Sequence, residues 1–158
     1  MNLEDKVVLC LKERGYTITT AESCTGGLLA GRILNVSGAS EVYNEGYITY
    51  SNEAKERILG VRHETLEKYG AVSEKTAREM AVGAAKAAHA NIGLSTTGIA
   101  GPGGGTPEKP VGLIYIGCFC NGEVLVRELR LQGTREENRN ATVNASLEQL
   151  FDIMTKKH

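Results

Sequence analysis

The stretch Thr17-Ile18-Thr19-Thr20-Ala21-Glu22-Ser23-Cys24-Thr25-Gly26-Gly27 passes from a run rich in Thr and β-branched residues to a pair of glycines. Leu28, Leu29, Ile33 and Leu34 then follow at helical spacing. β-branched residues pack well on a pleated surface, so residues 16–21 read as a strand and 25–35 as a helix. A strand that hands directly on to a helix is a signature of α/β folds. The junction carries a serine. A hydroxyl there lies beside the free N–H groups of a helix start, which can hold an oxyanion or a phosphate.

Working outward, Leu3, Val7, Val8 and Leu11 mark a first helix that Gly15 stops. Residues 42–50 read as a strand, with Ser51 or Asn52 capping a helix through Leu59. A short helix is expected over 63–69, and Ser73 caps a long Ala-rich helix through His89. Residues 92–97 read as a strand. Gly98-Ile99-Ala100-Gly101-Pro102-Gly103-Gly104-Gly105-Thr106-Pro107 is excluded from regular structure by its glycines and prolines. Strands over 111–120 and 123–131 meet at the hairpin dipeptide Asn121-Gly122. Thr134-Arg135-Glu136-Glu137 fits a capping box that opens the last helix. The order α-β-α-β-α-α-β-β-β-α predicts an α/β fold, a three-layer α/β/α sandwich around a mixed sheet, as one domain over 1–158.

Composition narrows the function. The chain has 158 residues, 41% hydrophobic and 23% charged, the balance of an ordinary globular domain. A net charge of -1 gives no electrostatic reason for nucleic acid or an anionic membrane as partner, and with 5% aromatics and no Trp there is no base-stacking platform. No apolar run approaches a membrane span and the N-terminus lacks a signal-peptide layout, so a cytoplasmic protein is expected. A homodimer is compatible with a small α/β enzyme. Cys10, Cys24, Cys118 and Cys120 match no zinc spacing, and neither a metal nor a cofactor is expected. Cys118 and Cys120 alternate along a strand and read as buried small apolar residues on one face.

Four features could carry chemistry. Ser23 is either a plain N-cap or a nucleophile approached across the bare backbone of Gly26 and Gly27, with Thr25 in the same turn. Of the three histidines, His63, His89 and His158, none lies in a site-like segment, so a base for Ser23 would be a lysine. The neighbouring Cys24 is a rival nucleophile that lacks a histidine to activate it. Lys55, one turn into a helix that leaves a strand end, is either a solvated surface lysine or that base, and burial would have to lower its pKa. Tyr50 reaches the same end of the sheet, as a proton relay or an ordinary core tyrosine. The loop from Gly98, with Gly101, Gly103 and Gly104, is a flexible connection or a cradle for an anion, and Thr97 before it offers a hydroxyl. Arg135 and Arg139 share one face at a helix start, where positive charge is unfavourable unless it serves an anion; the alternative is a solvated face softened by Glu136 and Glu137.

Taken together, residues 19–27, 47–55, 70–73 (Gly70-Ala71-Val72-Ser73) and 97–102 resemble the C-terminal domain of the competence/damage-inducible protein CinA, across essentially the whole chain. The resemblance implies a nicotinamide-nucleotide amidohydrolase that converts nicotinamide mononucleotide to nicotinate mononucleotide and ammonia. It also implies a Ser/Lys dyad of Ser23 and Lys55, accessory positions at Tyr50 and Thr97, and an arginine near the start of the last helix, for which Arg135 fits best and Arg139 stays open. A non-catalytic nucleotide-binding or regulatory module is the competing expectation.

Overall fold

The computed structural model describes residues 1–156; residues 157 and 158, and with them His158, lie outside the described residues. The helices are α1 (Leu3–Arg14), α2 (Leu28–Leu34), α3 (Asn52–Leu59), α4 (His63–Tyr69), α5 (Glu74–Ala88) and α6 (Arg135–Thr155). The strands are β1 (Ile18–Glu22), β2 (Tyr47–Ile48), β3 (Ile92–Gly98), β4 (Leu113–Cys120) and β5 (Glu123–Arg130). They form one open sheet in the order β2-β1-β3-β4-β5. β1 is parallel to β2 and β3, whereas β4 runs antiparallel to both β3 and β5. This is the expected mixed sheet between two helical layers.

Alternation along the strands sorts the two faces. Ile18, Ile92, Leu94 and Cys118 pack with α1, α2 and α6 through Val7, Leu11, Leu29, Ile33, Leu147 and Leu150. Cys120 packs half-buried on the same face, as the alternation predicts. Ala21 faces the other way, into a cluster with Leu59, Leu66, Met80 and Ala84 from α3, α4 and α5. Each fully buried Leu, Ile or Met is worth roughly 1.5–3 kcal/mol. The Ala-rich α5 sits low on the sheet because two strand residues lack side chains. A Cβ on Gly93 would stand 2.3 Å from Ala81 O, and one on Gly117 2.8 Å from Ala77 O.

The local signals act as expected at most ends. Asn2, Ser51 and Ser73 cap α1, α3 and α5 through their side chains. Thr134 and Glu137 close a capping box on α6. Asn121 and Gly122 both take positive φ, +49° and +90°, in the hairpin turn.

Two boundaries move. The helix expected from Thr25 begins at Leu28, because Gly26 and Gly27 adopt left-handed backbone (φ +54° and +105°) and form a separate turn. The strand expected over 42–50 shrinks to Tyr47–Ile48, after a lone bridge from Tyr43 to Ile18. Between them, side chains of β1 replace the backbone ladder: Thr19 Oγ1 donates to Glu45 O at 2.7 Å, and Thr20 Oγ1 meets the Tyr43 hydroxyl at 2.9 Å.

Candidate active site

The parallel ladder continues one step past the C-terminal ends of β2 and β1. Thr49 N donates to Glu22 O and Ser23 N to Thr96 O, each at 2.9 Å. This fixes Ser23 at the end of the central parallel strand, where open α/β sheets present their ligand sites. Lys55 comes from the first turn of α3, and helical side chains lean back toward the N-terminus. Its amine therefore returns to the strand end that precedes the helix. Lys55 Nζ lies 3.1 Å from Ser23 Oγ, 2.9 Å from Thr49 O and 3.2 Å from Tyr50 O.

Lys55 is only 1% exposed, and among the described residues no carboxylate bonds to its amine. The surface-lysine alternative is thus removed. Burial pushes its pKa down to about 8, against a smaller upward pull from the Cys24 thiol. The contacts suit a neutral amine. Two N–H groups satisfy the carbonyls of Thr49 and Tyr50, and the lone pair is left for the Ser23 hydroxyl. Cys24 is a poor rival, since burial raises its thiol to about 11 despite a hydrogen bond from Thr96.

The turn after Ser23 is held from two sides. Glu22, fully buried, accepts hydrogen bonds from the amides of Gly27 (3.2 Å), Leu29 (2.8 Å) and Ala30 (3.0 Å) and from Thr25 Oγ1 (2.6 Å). From the other side, Arg139 donates Nε to Cys24 O and Nη2 to Thr25 O, both at 3.0 Å. Here the sequence-based expectation of free amides at the helix start needs correcting. A carboxylate already fills that position, and Gly26 N is bonded to Ser23 O. Among the described residues, the amides that meet no oxygen acceptor in this turn are those of Cys24 and Thr25.

A cleft of about 200 Å³ adjoins the Ser23–Lys55 pair, lined by Cys24, Tyr50, Arg135, residues 98–101, Gly103 and Gly104. Neither Ser23 nor Lys55 lines it directly. Ser23, 8% exposed, is the chain neighbour of Cys24, and Tyr50 bridges the two regions, its carbonyl on Lys55 and its side chain in the cleft. Tyr50 is 64% exposed, which rules out a core tyrosine. Arg135 also faces the cleft, with Nη1 on Gly101 O at 2.8 Å and Nη2 3.4 Å from the Tyr50 hydroxyl.

Other candidates point elsewhere. The Thr97 hydroxyl is buried and donates to Ala71 O at 2.8 Å, so it fastens the 70–73 segment and does not reach the cleft. The Thr25 hydroxyl is committed to Glu22 and Thr96, and Gly26 and Gly27 shape the turn without lining the cleft. His63 and His89 lie on other elements, His63 between Glu56 and Glu67 on the surface. Among the described residues no group of three or more His, Cys, Asp or Glu could hold a metal ion, and no helix is long and apolar enough to cross a membrane.

Sequence reasoning missed two residues. Glu22 carried a signal: an acidic residue just ahead of a helix start favours the positive end of the helix dipole. Asn138 carried a weaker one, being three positions beyond Arg135 and so on the same helical face. Its buried amide donates to Ala100 O at 2.9 Å and to Gly133 O at 3.1 Å.

The model of the CinA C-terminal domain matches residues 1–154. The chain belongs to this family. A putative competence-damage inducible protein of Clostridium acetobutylicum is 60% identical over 93% of the chain, and a CinA-like protein of Kosmotoga olearia is 58% identical over the same share. The chain spans about a third of these relatives, 36% of each. Among solved structures, the competence/damage inducible protein CihA from Agrobacterium tumefaciens is 45% identical with a TM-score of 0.94, covering 98% of this chain and 94% of that one. The competence damage-inducible protein A of Klebsiella pneumoniae is 34% identical with a TM-score of 0.95, at 99% and 97% coverage. The CinA fold thus accounts for nearly every residue.

Proposed function

We propose that this CinA-family chain is an amidohydrolase that deamidates nicotinamide mononucleotide through an acyl-enzyme on Ser23. The observation that carries the reading is the 3.1 Å contact between Ser23 Oγ and the buried Lys55 amine, whose pKa is brought down to about 8. At neutral pH a useful fraction of that amine is uncharged and can act as a base.

The steps follow from the contacts. The Ser23 oxygen attacks the carboxamide carbon while Lys55 Nζ takes the hydroxyl proton. Charge then develops on the carbonyl oxygen, and the unpaired amides of Cys24 and Thr25 are the donors nearest to it in sequence; such donors are worth roughly 3–4 kcal/mol each. The C–N bond breaks, and the nitrogen leaves as ammonia with the proton returned by Lys55. Water attacks the ester carbon, Lys55 takes its proton, and nicotinate mononucleotide departs as Ser23 regains a proton. The three carbonyl and hydroxyl oxygens around Nζ match the three N–H groups of the charged amine between these steps. Arg135 and the loop at Gly101, Gly103 and Gly104 are assigned to the 5′-phosphate, since they present a guanidinium and bare backbone to the cleft.

Ammonia release from nicotinamide mononucleotide tests this. Ser23→Ala and Lys55→Ala are each expected to abolish turnover at unchanged circular dichroism. Binding heat without ammonia from the unaltered protein would favour a nucleotide-binding module instead.

A further inference from the structure

Glu22 is the largest unexplained polar investment in the molecule. It is fully buried, it precedes the proposed nucleophile directly, and among the described residues no cation pairs with its carboxylate. Removing a carboxylate from water is costly unless every lone pair finds a donor. Here four donors are spent on it, three of them amides that would otherwise sit free at the start of α2.

We propose that Glu22 is a positioning residue for the Ser23 site, a role that rests on the Ser/Lys reading above. By occupying the start of α2, the carboxylate denies that position to a substrate anion. By holding Gly27, Leu29, Ala30 and Thr25 at once, it fixes the bend of the turn. The amides of Cys24 and Thr25 are then the donors left for a developing oxyanion. Arg139 completes the restraint from outside, gripping the carbonyls of the same two residues. A trans peptide points its C=O and N–H in opposite directions, so the grip on Cys24 O also sets the direction of the Thr25 N–H. Glu22 touches neither substrate nor the reacting atoms; it acts through the turn.

Glutamine has the size of glutamate but replaces one acceptor oxygen by an NH₂ donor. In Glu22→Gln one of the two faces now receiving amides would present N–H to N–H, so the turn should shift. A displacement of a fraction of an ångström in oxyanion donors lowers the rate of the chemical step and leaves ground-state binding largely intact.

The experiment measures kcat and KM for nicotinamide mononucleotide by ammonia release, per mole of folded protein, across pH 6.5–9.5. Wild type, Glu22→Gln, Thr25→Val, Thr25→Ser and Ser23→Ala are compared. The expected result for Glu22→Gln is a fall in kcat of about 10- to 100-fold. KM should stay within about threefold and the pH midpoint should not move, because the surroundings of Lys55 are untouched. Thr25→Val, which removes one donor to the carboxylate, should lose less, and Thr25→Ser should recover most of that loss. Folded Glu22→Gln with wild-type kcat overturns the proposal, as does a defect confined to thermal stability. If Glu22→Gln does not fold, equal kcat in Thr25→Val and Thr25→Ser overturns it. Turnover by Ser23→Ala, or none by wild type, has a separate signature: it removes the dyad reading and this proposal together.

Discussion

Arg135 and Arg139 stand one turn apart on α6 and have opposite assignments. Arg139 spends its guanidinium on the backbone carbonyls of Cys24 and Thr25, whereas Arg135 lines the cleft beside Tyr50 and Gly101. The first is committed to the fold of the serine turn; the second keeps donors for a ligand. That division decides which arginine should read a phosphate.

Arg135→Gln should therefore raise KM for nicotinamide mononucleotide by about 10- to 100-fold, the loss of a charge-assisted bond of roughly 1.5–3 kcal/mol. kcat should change less. Nicotinamide riboside, which lacks the phosphate, serves as the control in steady-state kinetics. An equal loss on the riboside would remove the phosphate role.

The reaction should switch on with rising pH. The base works only as the neutral amine, and burial places its pKa at about 8. The pH profile of kcat/KM for the free enzyme is expected to climb about tenfold per pH unit below that value and level off above it. A profile flat between pH 6.5 and 9 would be incompatible with Lys55 as the base.

Stability carries the same titration. The folded pKa of about 8 lies below the ordinary lysine value of 10.5, so between them the unfolded chain holds the proton and the folded one does not. Stability then rises with pH across that window and is flat below it. Relative to Lys55→Met, the wild type should gain up to about 1.4 kcal/mol per pH unit between pH 8 and 10.5 in urea titrations. A constant difference across the window would mean that Lys55 is not shifted.

The sheet–helix contact gives a test of the fold alone. Gly117→Ala should cost about 1–3 kcal/mol, because the new methyl would press on Ser95 Oγ at 2.5 Å and Ala77 O at 2.8 Å. Thermal denaturation would show it as a lower Tm, with the catalytic pH midpoint unmoved.

Much of this was legible in the chain. The caps at Ser51, Ser73 and Thr134 and the Asn121-Gly122 turn are local devices, so sequence spacing alone reveals them. Ser23 and Lys55 could be suspected from the strand-end positions of their segments, but their contact spans 32 residues and depends on β2 pairing beside β1. What stayed hidden was which way polar groups turn. Thr97 and Thr25 look like site hydroxyls in sequence, yet each hydroxyl is consumed by a buried internal partner. Glu22 had only its place ahead of a helix start as a signal, and that place does not say that three amides of the next turn converge on its carboxylate.

The opening turns of α6 act as a rivet. Arg135 and Asn138 grip the glycine-rich loop at Gly101 and Ala100, and Arg139 grips the serine turn at Cys24 and Thr25. Both walls of the cleft are thus bolted to a single helix that enters the chain more than a hundred residues after Ser23. A nascent polypeptide carrying all five strands would still lack its fastener, and the two walls would be held together only when α6 docks.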